Sequence, residues 1–143
     1  MEMIEAVKDY IGGCPLLDEI APKRRHIDWT EDDPDNYGIF PAGDAPLGDA
    51  YINGDEEREY SFAVYVRKVT DSDAVRLENS GFIERLQTWL NRNPPVLPED
   101  CTFTSATAVN AMLLETNKTG TRGTYQVQCS IKYIKHYSMK GLI

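Results

Sequence analysis

The chain has 143 residues, with 23 acidic against 15 basic side chains and a formal net charge of −8. That length fits a single domain spanning residues 1–143, able to bury roughly 68–70% of its unfolded surface without a disulfide or metal staple. The acid excess offers no basic patch for a phosphate backbone, so no specific nucleic-acid partner is expected; no run nears the ~18 apolar residues of a membrane span, and the acidic start MEMIEAVKDY is unlike a signal peptide.

In chain order, Ile4, Val7 and Ile11, flanked by Met3 and Tyr10, recur at helical spacing and predict a first helix. It should stop at Gly12-Gly13, with Pro15 just beyond. The basic run PKRRH (22–26), with Lys23, Arg24 and Arg25, reads as the solvated flank of a short strand at 26–29. Residues 30–48 contain repeated proline and glycine, which predicts mostly loop, with Tyr37–Phe40 as an edge strand. Asn53-Gly54 is a hairpin signal between DAYI (49–52) and REYSFAVYVRKV (58–69). In the second segment Tyr60, Phe62, Val64 and Val66 share one face, opposite Glu59, Ser61, Ala63, Tyr65 and Arg67.

Asp71, Ser72 and Asp73 offer caps for a helix over about 73–92, interrupted or re-capped near Asn79-Ser80-Gly81 and ended by NPPVLPED. Its apolar stripe is Phe82, Ile83, Leu86, Trp89 and Leu90, with Glu84, Arg85, Gln87, Thr88 and Asn91 assigned to the polar side. Residues 102–114 alternate as Phe103, Ser105, Thr107, Val109, Ala111 and Leu113 against their neighbours, a weakly polarised strand. Tyr125, Val127, Cys129, Ile131 and Tyr133 give residues 124–133 a period of two, and the two segments should form a hairpin across ETNKTGTRG. The predicted fold class is α+β, a mainly antiparallel β-sheet with two helices packed on one face.

Little in the sequence points to catalysis. His26 and His136 belong to no metal-ligand spacing, and neither a G-x-S-x-G elbow nor a glycine-rich phosphate loop is present. Cys14, Cys101 and Cys129 are odd in number without C-x-x-C, which argues against a disulfide framework or a zinc site and for a reducing compartment; Cys129 reads as a small core residue. The acidic loop 31–36 is the best chemical candidate. As a calcium loop starting from Asp33 and Asp35 it fails, because Tyr37 takes the fifth position and Asp44 the twelfth. No catalytic residue, cofactor or metal is therefore assigned, although a small ligand-binding or enzymatic domain using this loop stays open.

One resemblance covers nearly the whole chain. CPLL after the first helix, then IDW, DNYGIFP, YINGDEEREYSFAVYVR, ENSGFIERLQTWL and GTYQVQCSIKYIKHY resemble, in order and spacing, the tail terminators of long-tailed phages and prophages, often labelled minor capsid or head-tail joining proteins. The resemblance implies a non-enzymatic virion protein, assembled in the host cytoplasm. Six copies would form a ring at the head-proximal end of the tail tube, ending tube growth and offering a docking surface to the head. Its partners would be itself, the tail tube protein and head-neck connector proteins, with DNA passing through but not gripped, since an acidic channel repels phosphate. Another neck component, such as a head-completion or connector protein, is the alternative.

On that reading loops 30–48 and 115–123 become candidate subunit or tube contacts, with Asp33 and Asp35 in the first and Lys118 and Arg122 in the second. Trp29, Tyr37 and Tyr51 are candidate interface anchors or, equally, part of their own domain's core or rim.

Overall fold

The computed structural model describes residues 1–48 and 50–137. In chain order the elements are α1 (Met3–Gly12), β1 (Arg25–Ile27), β2 (Asn36–Pro46), β3 (Glu56–Val69), α2 (Asp73–Arg92), β4 (Cys101–Thr116) and β5 (Arg122–Lys135), with 3-10 turns at Pro15–Leu17 and Pro22–Arg24. The sheet runs β1-β2-β3-β5-β4. Among the described residues only the β1–β2 pairing is parallel. This is the α+β architecture expected from the sequence.

Alternation in β3 and β5 creates the buried face. Tyr60, Phe62, Val64 and Val66 from β3 join Tyr125, Val127, Cys129, Ile131 and Tyr133 from β5 in one core with Val7 and Ile11 of α1 and Ile83, Leu86 and Leu90 of α2. Both helices therefore cover the same face, and the other stays open, as antiparallel sheets allow. Phe82 and Trp89 lie at the margins of the helical stripe rather than in a cleft: Lys68 Nζ sits 4.6 Å from the Phe82 ring centre, and Trp89 stacks on Tyr10 at 5.2 Å.

Several local expectations are corrected. The strand expected at 26–29 runs Arg25–Ile27, because Asp28 takes φ 68° and ends it. Region 36–46, read mostly as loop with an edge strand, is one 11-residue strand. It is internal where β1 pairs Tyr37–Ile39. Pro41 and Pro46 are tolerated beyond β1, where their missing N–H groups face no partner strand, and a register shift falls between Pro41 and Gly43. The Asn53-Gly54 turn exists, with Gly54 N–H on the Tyr51 carbonyl at 2.9 Å. It lies within the β2–β3 connection, however, and residues 50–52 are not a strand; Asp49 lies outside the described residues.

Polar groups with hidden partners account for the remaining differences. Arg25 is no solvated flank: its guanidinium donates to the carbonyls of Ile20 (2.9 Å), Leu17 (3.3 Å) and Gly12 (3.4 Å), tying the end of α1 to β1 and placing a cation where helix carbonyls are unpaired. Arg24 donates to the Pro34 carbonyl at 2.9 Å. Helix α2 is capped by Ser72, whose hydroxyl accepts from Val75 N–H at 3.2 Å. It then runs unbroken through Asn79, because that side chain turns inward and donates to the Val69 carbonyl at 2.7 Å.

Gln87 and Asn91, assigned to the polar side, face β4. Asn91 both donates to the Ala108 carbonyl and accepts from its N–H, each at 2.9 Å. Gln87 accepts from Ala111 N–H at 3.1 Å. In β4 itself the simple alternation fails at three register irregularities. Phe103, Ala106, Ala108, Ala111 and Leu113 pack on the core, while Thr107, Val109, Met112 and Leu114 are exposed.

Asn91→Ala should cost about 1–3 kcal/mol, since it strands both backbone groups of Ala108. Thr88→Ala, which removes a hydroxyl bonded to its own helix at Glu84, should stay within about 0.5 kcal/mol. Urea unfolding of the two variants checks the contrast, and equal costs would count against the clamp.

Candidate functional site

Loop 28–35 is shaped by the residues beneath it. Asn36, fully buried, accepts from Glu31 N–H (2.9 Å) and donates to the carbonyls of Glu31 (3.1 Å) and Asp33 (2.5 Å), so one amide satisfies three backbone groups of the loop. Above it, His26 Nε2 lies 2.6 Å from Glu31 Oε2, and the imidazole stacks on Trp29 with ring centres 3.8 Å apart. Trp29 remains half exposed.

The structure brings part of the predicted set together. Asp33 pairs with Arg122 at 3.2 Å and Asp35, at φ 64°, with Lys68 at 3.7 Å. Lys118 is exposed in the turn that leads into Arg122. That turn is organised by Asn117, whose Oδ1 accepts from the N–H groups of Thr121 (2.9 Å) and Arg122 (3.2 Å). Tyr37 is drawn away from the surface: it is 2% exposed and part of the core, with the Arg25 guanidinium 6.0 Å from its ring centre.

Tyr51 lies at the opposite end of the sheet, half exposed, its hydroxyl donating to Glu57 at 2.7 Å. This end carries a polar network that sequence reasoning missed. His136 bridges Asp55 (Nδ1, 2.7 Å) and the Thr102 hydroxyl (Nε2, 2.6 Å). Tyr137 donates to Glu56 at 2.8 Å. Asp44 accepts from the Tyr133 hydroxyl (2.7 Å) and from Arg58 (3.0 Å), and Lys135 pairs with Asp100. Only strand register, which sets Glu56 opposite Lys135, places these residues together.

The chemistry of both ends is that of solvated ion pairs. The hydrogen bond from His136 lowers the Asp55 carboxyl below its ordinary value. Burial first, and then the hydrogen bond to Asp44, raises the Tyr133 phenol. The three cysteines are unpaired, and burial pushes Cys129 up to about 12 and Cys101 up to about 11, poor values for a nucleophile. Cys129 is the buried core residue the sequence suggested. Among the described residues no three His, Cys, Asp or Glu side chains converge as a metal-binding group.

The open sheet face holds a shallow trough of about 610 Å³ lined in part by Phe40, Glu59, Ala63, Tyr65, Val109 and Lys132. Phe40 and Tyr65 pack ring to ring across it at 4.6 Å. The site is thus a surface with paired charges at both ends and, between them, an open sheet of mixed polar and apolar side chains that include Glu59 and Lys132.

No protein-family model matches the chain, and no curated protein sequence matches it. Among solved structures, its fold is similar to that of a chain in the virion of a native gene transfer agent particle, with a TM-score of 0.58 and 12% identity. The correspondence covers 90% of this chain and 92% of that one. At this identity the likeness establishes a shared fold.

The Asp55–His136 pair has a testable sign. A carboxyl whose folded pKa is lowered contributes stability that is complete above its unfolded pKa and is lost as pH falls through the folded value. In His136→Ala the Asp55 carboxyl should titrate at higher pH than in the wild type, read by NMR of its side-chain carbon. An unchanged midpoint would show that the imidazole does not hold the carboxylate.

Proposed function

We propose that the protein is a structural, non-catalytic subunit of a tailed phage or phage-like virion, and within that class a tail-terminator-like ring protein. Its ring of six copies sits on the head-proximal end of the tail tube, stops tube polymerisation and presents the surface on which the head docks. The observation that carries the virion reading is the match along nearly the full length of both chains to a component of a gene transfer agent virion. The tail-end role rests on the order of sequence markers, which fall in chain order on fold elements: IDW at the end of β1, DNYGIFP opening β2, and ENSGFIERLQTWL in α2.

Two physical features agree with this role. A subunit of net charge −8 does not hold DNA passing through a ring, because like charge repels phosphate. The polar groups described at both ends pair with one another, an arrangement suited to surfaces that meet other proteins: further copies of the chain, the tail tube protein and the head-neck connector proteins.

The test is the length of tails seen by electron microscopy when the gene is interrupted in its parent phage, with a plasmid copy as control. Overlong, headless tails restored by the plasmid are expected. Tails of normal length would overturn the terminator role, and if those tails also failed to join heads, the protein would belong to the head side of the neck.

A further inference from the structure

Asn53 is the one asparagine in the chain that precedes a glycine. It is exposed at the turn inside the β2–β3 connection, beside the bridge that His136 makes between Asp55 and Thr102. Its amide is held at both ends by one residue: Asn53 Oδ1 accepts from Asp55 N–H at 3.1 Å, and Nδ2 donates to Asp55 Oδ2 at 3.2 Å. Gly54 follows at φ 89°, and with no Cβ it leaves its backbone nitrogen unshielded beside the Asn53 side chain.

These contacts favour an internal reaction. The carbon of an asparagine amide can be attacked by the backbone nitrogen of the next residue, closing a cyclic imide, and the negative charge that develops falls on Oδ1. Asp55 N–H already donates to that oxygen, in the manner of an oxyanion donor. Gly54 N–H is itself bonded to the Tyr51 carbonyl at 2.9 Å and must leave it first, but a lone hydrogen bond at an exposed turn has a small net worth. Elsewhere the equivalent nitrogen is withheld. Ser80 and Arg92, which follow Asn79 and Asn91, lie inside α2. Pro94, after Asn93, has no N–H, and Ala111, after Asn110, donates to Gln87.

We propose that Asn53 is a self-modification site, where deamidation turns an amide that holds Asp55 into a carboxylate that repels it. The Gly54 nitrogen, its proton taken by hydroxide, bonds to Asn53 Cγ; the Cγ–Nδ2 bond breaks and ammonia leaves. Water then opens the imide at either carbonyl, giving aspartate or, with the backbone routed through the side chain, isoaspartate. Either product sets a negative charge where a donor stood. Asp55 is held below its ordinary value by His136 first and by Asn53 in smaller part; facing a like charge, it keeps its proton to higher pH. A protonated Asp55 is a weaker partner for His136, so the tie between the β2–β3 connection and the end of β5 slackens. The step is spontaneous and irreversible, and the charge at this end of the sheet therefore changes with the age of each copy, whatever the subunit assembles with.

The experiment follows the full-length folded protein in mildly alkaline buffer by peptide mass mapping. Beside it run Asn53→Gln, whose longer side chain disfavours imide closure, and Asn53→Asp, which fixes the charge of the product. Asn53 should gain the mass of an amide-to-acid exchange at least about tenfold faster than any other asparagine, at a rate that climbs with pH, while Asn53→Gln stays unmodified at that position. By NMR of its side-chain carbon, Asp55 should titrate at higher pH in Asn53→Asp than in the wild type. No mass gain at Asn53, a gain no faster than at the other asparagines, or a rate indifferent to pH overturns the site. An Asp55 midpoint equal in Asn53→Asp and the wild type overturns its effect on the Asp55–His136 pair.

Discussion

Everything in this molecule is referenced to the register of β5. It pairs along its length with β3, from Arg122 opposite Val69 to Lys135 opposite Glu56, and on its other side with β4. A slip of one residue would exchange Tyr125, Val127, Cys129, Ile131 and Tyr133 for Gln126, Gln128, Ser130 and Lys132 on the core face, because side chains alternate strictly along a strand. Two neighbouring strands and two helices each specify the same setting. The hydrophobic face is therefore single, both helices are drawn to it, and the opposite face is left to solvent or to another protein.

β4 absorbs what that fixed register cannot accommodate. It has 16 residues where β5 has 14, and its surplus appears as bulges. Bulges leave backbone groups without ladder partners, and an outer strand has no second neighbour to supply them. Helix α2 supplies them instead, through Gln87 and Asn91. The helix that buries the core with Ile83, Leu86 and Leu90 thus also fixes how β4 presents Val109, Met112 and Leu114 outward. Core packing and surface display are joined through two amides on one turn of helix.

What was legible in the sequence was what local periodicity encodes. α1, β3 and β5 declare themselves because their apolar residues recur at three to four or at two, whatever surrounds them. β2 did not, because proline and glycine read as loop unless one knows that β1 stops at Ile27 and leaves that side open. Arg25, Asn79, Gln87 and Asn91 were misread for a common reason: each is a polar side chain whose partner is a backbone group in another element, and such a partner has no sequence signature. The candidate site divides the same way. The acidic loop was visible as composition, but the joining of Asp33 to Arg122 across 89 positions depends on the sheet order.

The two kinds of surface on this subunit follow from its acid excess. At the sheet ends, Asp33 with Arg122, Asp35 with Lys68 and Asp100 with Lys135 place opposite charges within 4 Å of each other, and Asp55 meets the His136 imidazole at 2.7 Å. Exposed pairs of this kind contribute little to folding, about 0–1 kcal/mol each. Their larger effect is on approach, because a paired carboxylate projects less field than a free one beyond the ~10 Å over which salt screens charge. β4 carries no charged residue from Cys101 through Leu114. The distribution of charge, more than its total, therefore separates the paired sheet ends from the uncharged stretch of the outer strand.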